Sequence, residues 1–386
     1  MSQLALAVGS FAIGTAEFVS MGLLPEMAKA TSVDIPTAGH YIAAYAFGVV
    51  VGAPIFAVLT AKLPRKTLIV GLLVFYALAN ILSAFSFNYT TLISSRFISG
   101  LPHGIFFGVA SIAVSSMVPL AERPKAIGNV MLGLTIATVI GAPAATFIGQ
   151  VSSWSVAFII VGVLALVSVI LVSIYLPHSS MSASSSPLAE LGALKQKQVW
   201  LMLAVVSIGS GGLFAVFSYI KNILMFESGY ILQQVPFIMP LLGCGMVAGN
   251  IIGPKISAKL GLMRTIFFTM AFSTCIYVIF YFLCQARLSA AFGCFLVGLS
   301  FASMPSIQTR IMDVAANAQT LAGALIQSAF NLANAIGARA GGYVLILGFG
   351  YADTAILAAL LTLGGLLIFY YSWHLEKRDL ACLNEA

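Results

Sequence analysis

The sequence predicts an all-α membrane protein whose twelve transmembrane helices form two six-helix bundles. Of its 386 residues, 60% are hydrophobic and only 8% are charged, and the mean hydropathy is +1.05. Soluble domains carry about 25% charged residues, so this chain has too few charges to cover a surface in water. A soluble enzyme and a nucleic-acid-binding protein are therefore excluded. Long apolar runs and one central polar segment supply the helix count and the division into halves.

Helices that cross a bilayer need about 20 mostly apolar residues, and we identify twelve such runs. They lie at about 4–27, 37–60, 67–87, 90–117, 127–150, 154–176, 199–221, 231–253, 265–284, 289–310, 318–346 and 353–373. No basic residue precedes the first run, and the run exceeds a signal-peptide core, so we expect it to be retained. The serine-rich segment after the sixth run predicts a flexible linker. We expect a bundle at 1–176, a linker at 177–198, a bundle at 199–375 and a tail at 376–386.

The basic residues predict the orientation of the chain. With both termini in the cytoplasm, thirteen of the 18 Lys and Arg residues lie in inner loops or the tail, against three in outer loops. Lys and Arg accumulate on the cytoplasmic side of membrane proteins. The net charge of +7 is therefore a signal of topology, and no nucleic-acid partner is expected.

Short matches between the halves indicate an internal repeat. Gly52, Ala61 and Lys62 recur 197 residues later, and Ile140-Gly141-Ala142 recurs 196 residues later as Ile336-Gly337-Ala338. The offsets agree to within one residue and bridge the linker. Two six-helix halves repeated in parallel are typical of transporters that rock around a site near the middle of the membrane.

Motifs along most of the chain resemble those of the major facilitator superfamily, in particular its drug:proton antiporter branch and the bacterial arabinose-efflux-permease group. The most specific motif is Arg96-Phe-Ile-Ser-Gly100-Leu-Pro-His103-Gly104 in the fourth span. The other motifs lie at 14–25, 48–54, 217–221, 243–250 and 329–337. The resemblance implies a monomer in the bacterial cytoplasmic membrane that works by alternating access. It also implies a transporter with no cofactor and no enzymatic activity, with protons as the coupling ion.

Three charged residues lie inside the predicted spans, away from the span ends: Glu17, Arg96 and Arg339. A charge at the centre of a bilayer costs ~2.5–3.5 kcal/mol on insertion scales, so each needs a partner or water. From the helical rise, Glu17 lies about 15 Å deep and Arg96 about 9 Å deep. The resemblance implies that the first and fourth spans are neighbours. We expect Glu17 to carry the coupling proton and Arg96 to set its affinity; the alternative is a static pair that fixes helix packing.

Other candidate residues would contact the substrate. Arg96, Gly100, His103 and Phe107 share one helix face by their spacing, and Tyr45 is the best candidate of the second span. A packing role remains open for His103 and for the amides of the eleventh span, and Arg339 would bind an anionic group or pair with an acid. The substrate candidates are Phe18, Met21, Tyr45, His103, Phe107, Phe214, Ser218, Tyr219, Gln308, Gln327, Asn331, Asn334 and Arg339.

The predicted function is export of a small organic solute, drug-like or amphiphilic, in exchange for protons. A binding cavity with apolar walls and few polar groups suits such a solute. A sugar or sugar-derivative exporter is the alternative. A membrane receptor or enzyme is a remote one, since an enzyme would need clustered His, Asp or Cys in the spans. No metal site is expected, and the lipid bilayer, the solute and the protons are the only partners.

Overall fold

The computed structural model describes residues 1–177 and 190–385. Most of the predicted linker therefore lies outside the described residues. Within the described part, twelve helices are long and apolar enough to span a membrane, as the sequence predicts. They are α1 (Ser2–Gly22), α2 (Thr37–Leu59), α3 (Arg65–Ala84), α4 (Tyr89–Ser115), α5 (Leu120–Val151), α6 (Trp154–Tyr175), α7 (Lys197–Glu227), α8 (Val235–Leu260), α9 (Leu262–Leu283), α10 (Arg287–Val314), α11 (Gln319–Ile346) and α12 (Asp353–Arg378).

Two helix ends differ from the sequence-based ones in ways that affect the site. Helix α1 ends at Gly22, five residues after Glu17, and a short helix at Leu24–Ala30 follows it. Helix α10 extends to Val314, so Arg310, one of the thirteen basic residues counted above in inner loops or the tail, lies within a helix. Arg310 is buried and forms an ion pair with Glu376 at 2.7 Å. The pair compensates the charge there, and composition alone does not reveal it.

Side-chain caps explain where several helices begin. The amide of Thr37 donates to the carboxylate of Asp34 at 3.2 Å, and this hydrogen bond lowers the pKa of Asp34. At the start of α4, Asn88 and Thr91 form a reciprocal capping box. Each cap satisfies amides at the first turn that have no partner within the helix. The polar breaks between spans therefore also serve as helix start signals.

The described residues form two compact units. Unit 1 comprises residues 1–193 and 315–328, and unit 2 comprises residues 194–314 and 329–386. Within unit 1, α2 packs on α4, α3 on α6, and α1 on both α5 and α6. Within unit 2, α8 packs on α10, α9 on α12 and α7 on α12. Three pairs of unit 1, namely α2 with α4, α3 with α6 and α1 with α6, thus have counterparts in unit 2, as the internal repeat leads one to expect.

Glycines set the closest helix crossings in each unit. A Cβ atom at Gly48 of α2 would overlap the carbonyl oxygen of Phe97, and one at Gly100 of α4 would overlap that of Tyr45. In unit 2, Gly245 of α8 and Gly298 of α10 lie equally close to the opposite backbone. Small residues allow this approach where no hydrophobic effect drives membrane helices together.

Candidate functional site

Glu17 and Arg96 are both enclosed within unit 1. Helix α1 holds Glu17 with 5% of its surface exposed, and α4 holds Arg96 fully buried. The long packed face of each helix explains this placement, since α1 and α4 bury most of their residues. The two charges interact electrostatically. The structure therefore brings Glu17 and Arg96 near each other in one buried region.

Arg96 is held by groups other than a carboxylate. Its guanidinium donates to the carbonyl oxygen of Ala16 and to the hydroxyl of Ser99, both at 3.4 Å. It also lies over the rings of Tyr45 and Phe158, at 4.4 Å and 5.2 Å from their centroids. Such cation–π contacts gain strength when water is excluded. The charge is thus stabilised by the surrounding structure.

Glu17 and Arg96 form no ion pair within 4.0 Å in the part of the chain that the structure describes. Arg96 contacts this stretch of α1 through the carbonyl of Ala16, the residue before Glu17. A short bidentate pair would hold both side chains in one geometry. The observed arrangement leaves the Glu17 carboxyl within the field of Arg96 but outside a direct pair with it.

A buried hydrogen-bond chain leads from Arg96 along α4. The hydroxyl of Tyr45, whose ring lies under Arg96, contacts the hydroxyl of Tyr76 at 3.3 Å and Nδ1 of His103 at 2.9 Å. The imidazole of His103 also contacts the side chain of Gln327. All of these side chains are at most 2% exposed. The cluster is therefore shielded from bulk water, and Nε of Arg96 and Nε2 of His103 are buried without a hydrogen-bond partner among the described residues.

Gln327 belongs to the segment 315–328, which packs on α4 within unit 1. A Cβ atom at Gly104 would lie 3.1 Å from the carbonyl oxygen of Ala324, and one at Gly108 would lie 2.7 Å from that of Thr320. The backbone of the segment therefore lies directly on a glycine face of α4.

Two further hydrogen bonds hold the segment 315–328. The hydroxyl of Ser328 donates to the carbonyl of Val49 at 3.3 Å, and the amide of Leu321 donates to the carboxylate of Glu190 at 2.9 Å. Leu321 lies in the first turn of α11, where a carboxylate satisfies a free amide and interacts favourably with the helix dipole.

The remaining unit 1 candidates lie on α1 and α4. Phe18 is buried and Met21 half-buried on α1. Phe107 is buried, with its ring 5.4 Å from that of His103. Both Phe107 and His103 are thus enclosed by packing in this structure. Their assignment as substrate contacts stays a prediction.

The candidates of unit 2 divide into buried and accessible residues. Phe214 packs on Phe330 with ring centroids 4.9 Å apart, and Gln308 and Asn331 are buried as well. The hydroxyl of the half-buried Tyr219 donates to the carbonyl of Ala338 at 2.8 Å, which joins α7 to α11. Ser218 and Arg339 are exposed, and Asn334 is half-buried like Tyr219. The accessible candidates of unit 2 therefore all carry a polar group, and the aromatic Phe214 lies in the core.

Sequence reasoning missed several residues of the unit 1 centre. Tyr76, Phe158 and Ser99 contact Tyr45 or Arg96, and Glu190 caps α11 from the end of the predicted linker. Tyr76 is a polar side chain in an apolar span and could have been noticed on that ground. Nothing in the sequence marks Phe158 among 27 phenylalanines. In residues 1–177 and 190–385, no three His, Cys, Asp or Glu side chains are grouped as metal ligands would be.

Comparisons with known proteins agree with this architecture. The family model of the Major Facilitator Superfamily matches residues 6–338. The chain is 35% identical to the inner membrane transport protein YdhP of Escherichia coli K12, over 99% of this chain and 98% of the relative. It is 28% identical to a Helicobacter pylori protein named "Probable sugar efflux transporter", over 89% of this chain and 88% of the relative. The E. coli fucose:proton symporter FucP has a similar fold, with a TM-score of 0.76, 15% identity and coverage of 96% of this chain and 98% of FucP.

Proposed function

The chain belongs to the Major Facilitator Superfamily, and we propose that it exports a small organic solute in exchange for protons by alternating access. The observation that carries the proton part is the buried Glu17 carboxyl near Arg96 without a direct ion pair. Burial favours the neutral form of a carboxyl group, whereas a nearby guanidinium favours the charged form. A carboxyl balanced between these influences is suited to gain and lose a proton as its surroundings change.

The transport cycle follows from this balance. On the outer side, the carboxylate of Glu17 accepts a proton and becomes a neutral acid, which lowers the cost of burying it. After the protein opens to the cytoplasm, water and the field of Arg96 favour release of the same proton. Solute binding then favours the return to the outward-open state. One proton enters for each solute exported if Glu17 is the only carrier.

The substrate class we favour is a sugar or another polar metabolite. The relative in H. pylori is named for sugar efflux, and the accessible candidates Ser218, Asn334 and Arg339 are polar. An exposed arginine inside a span is tolerated where it meets water or an anion, so Arg339 supports a hydrated path. An amphiphilic substrate, suggested by the apolar composition, is the second candidate. The buried position of Phe214 and Phe107 weighs against it.

The membrane placement extends this proposal. The twelve apolar helices and the inner-membrane relative make the chain a multi-pass inner-membrane protein. We further propose that both termini are cytoplasmic, because thirteen basic residues would then lie inside. We also propose that a single chain is the transporting unit.

Transport in reconstituted vesicles tests the function. Proteoliposomes with an imposed pH gradient and an internal pH-sensitive dye would be given a panel of sugars and a panel of amphiphilic cations. With the native protein, we expect compounds of one panel to trigger proton release across the vesicle membrane. The Glu17→Gln variant should abolish that release. Glu122→Gln is the matched control, because Glu122 is exposed outside the buried centre. Proton release by the Glu17→Gln protein equal to that of the native protein would exclude Glu17 as the carrier.

A further inference from the structure

We propose that His103 and Gln327 are positioning residues that connect the Glu17–Arg96 centre to the docking of the segment 315–328 on α4. This inference deepens the proposed function and rests on its assignment of Glu17 as the proton carrier. The sequence left both a substrate contact and a packing role open for His103 and Gln327. In the structure they lie at the junction between a charged centre and a segment whose contacts depend on close backbone packing.

A continuous chain of contacts joins Arg96 to the segment 315–328. Arg96 lies over the Tyr45 ring at 4.4 Å, and the Tyr45 hydroxyl contacts Nδ1 of His103 at 2.9 Å. The His103 imidazole contacts Gln327, which is part of the segment. These four side chains are at most 2% exposed. Because water cannot replace a lost partner at these positions, a change at one end leaves a buried polar group unsatisfied at the next.

The charge of Glu17 acts on Arg96, where this series of contacts begins. The charged and titratable groups that interact with Glu17 are Arg96 of α4, Tyr45 of α2 and Tyr76 of α3. An ionised Glu17 attracts the guanidinium, and a neutral Glu17 does not. The position of Arg96 over Tyr45 is therefore sensitive to the proton on Glu17, and the Tyr45 hydroxyl conveys that position to His103.

The segment 315–328 packs on α4 in a way that allows the whole segment to bind or to separate at once. Its backbone lies on the glycine face formed by Gly104 and Gly108 of α4. Its polar anchors include the bonds of Ser328 to Val49 and of Leu321 to Glu190. A contact between two backbones loses its fit after a small displacement, because tightly packed surfaces are not continuously deformable.

The predicted position of the segment indicates which protonation state of Glu17 should loosen it. With the proposed orientation, the segment lies at the cytoplasmic end of unit 1, and its departure from α4 would admit water from the cytoplasm. An exporter driven by protons must open to the cytoplasm when Glu17 is neutral. Neutral Glu17 should therefore loosen the segment, and His103 and Gln327 should be required for that response.

Hydrogen exchange of the full-length protein in lipid nanodiscs tests the inference without a known substrate. Glu17→Gln mimics the neutral carboxyl, and the measured quantity is the exchange rate of peptides within 315–328. We expect Glu17→Gln to accelerate exchange by about fivefold in the native background, within the range of typical allosteric coupling. In the Gln327→Leu and His103→Phe backgrounds, the same change should have an effect below about twofold, as for independent sites.

Ser328→Ala is the matched control, because it removes a different hydrogen bond of the same segment. If Gln327 only anchors the segment, then Gln327→Leu and Ser328→Ala should act alike, with a faster basal exchange and an unchanged response to Glu17→Gln. That result would overturn the inference while leaving Glu17 as the carrier. No response to Glu17→Gln in the native background would instead count against the proton carrier itself, and the inference would fall with it.

Discussion

Unit 1 and unit 2 share their helix crossings and differ in what they bury beside them. Gly100 of α4 and Gly298 of α10 both lie against the backbone of the paired helix, at an offset of 198 residues. At the same offset, Arg96 corresponds to Cys294 and His103 corresponds to Phe301. All four side chains are buried. Equivalent positions of the repeat therefore hold a charge and an imidazole in one unit, and a thiol and a phenyl ring in the other.

The positions on the partner helices show the same contrast. At an offset of 197 residues, Glu17 corresponds to Phe214 and Tyr45 corresponds to Leu242. Phe214 and Leu242 are both buried in unit 2. Since burying charges costs several kcal/mol unless they are compensated, a second charged centre would need its own set of partners. The two units thus share the backbone crossing, whereas Phe214 and Cys294 occupy the unit 2 positions that correspond to Glu17 and Arg96. This difference leads us to propose that proton coupling is confined to unit 1.

The largest expected effect concerns what the two units share. Gly100→Ala and Gly298→Ala should each lower stability by about 3 kcal/mol, because a Cβ atom would overlap the opposite backbone. Thermal denaturation of the purified variants measures this. Gly71→Ala is the control, since no atom lies within 4 Å of a Cβ placed there. If only one of the two variants loses stability, the two helix crossings are not equivalent in packing.

The next effect should distinguish the units. Arg96→Leu should reduce proton-driven transport by about tenfold or more, because it removes a coupling free energy of about 1–3 kcal/mol between charge and conformation. Cys294→Leu at the equivalent position of unit 2 should retain proton coupling. The two variants would be compared by their initial transport rates, measured at matched expression with and without a pH gradient. Equal losses of coupling in both variants would contradict the confinement of coupling to unit 1.

A matched pair of tyrosines gives a smaller effect. Tyr45→Phe loses hydroxyl contacts to Tyr76 and His103, and Tyr277→Phe in unit 2 loses a bond of 2.8 Å to Ser300. Each variant should lose about 1 kcal/mol of stability, typical of a buried hydrogen bond. Only Tyr45→Phe should also weaken proton-driven transport. If the two variants affect transport to the same extent, the Tyr45 hydroxyl has only a structural role.

The smallest effect concerns the charged pair of unit 2. Glu376→Gln should cost about 1 kcal/mol or less, because the Glu376 side chain is 32% exposed and solvent screens its bond to Arg310. The difference in melting temperature from the native protein should shrink as salt is raised. A transport defect as large as that of Arg96→Leu would show that unit 2 also holds a charge essential for coupling.

Prediction from sequence succeeded where the signal is local. Runs of apolar residues identify twelve helices, because each segment must satisfy its own backbone hydrogen bonds in lipid. Glu17 and Arg96 are noticeable because charges are rare inside spans. Arg310 escaped the same reasoning, since its partner Glu376 is 66 residues away along the chain. The capping of α11 by Glu190 escaped it too, because a single acid after a serine-rich linker carries no distinctive pattern.

The amino-acid sequence alone is sufficient to predict the membrane class, the helix count, the repeat and the short list of intramembrane charges. These follow from composition and from spacing along one helix, which the bilayer constrains directly. The packing of the helices was needed to show that Arg96 rests on Tyr45 rather than on Glu17, and that His103 contacts Gln327. Such partners lie on different helices, and close packing through glycine faces sets which of them meet. Their distances depend on that packing, which spacing along a single helix does not encode.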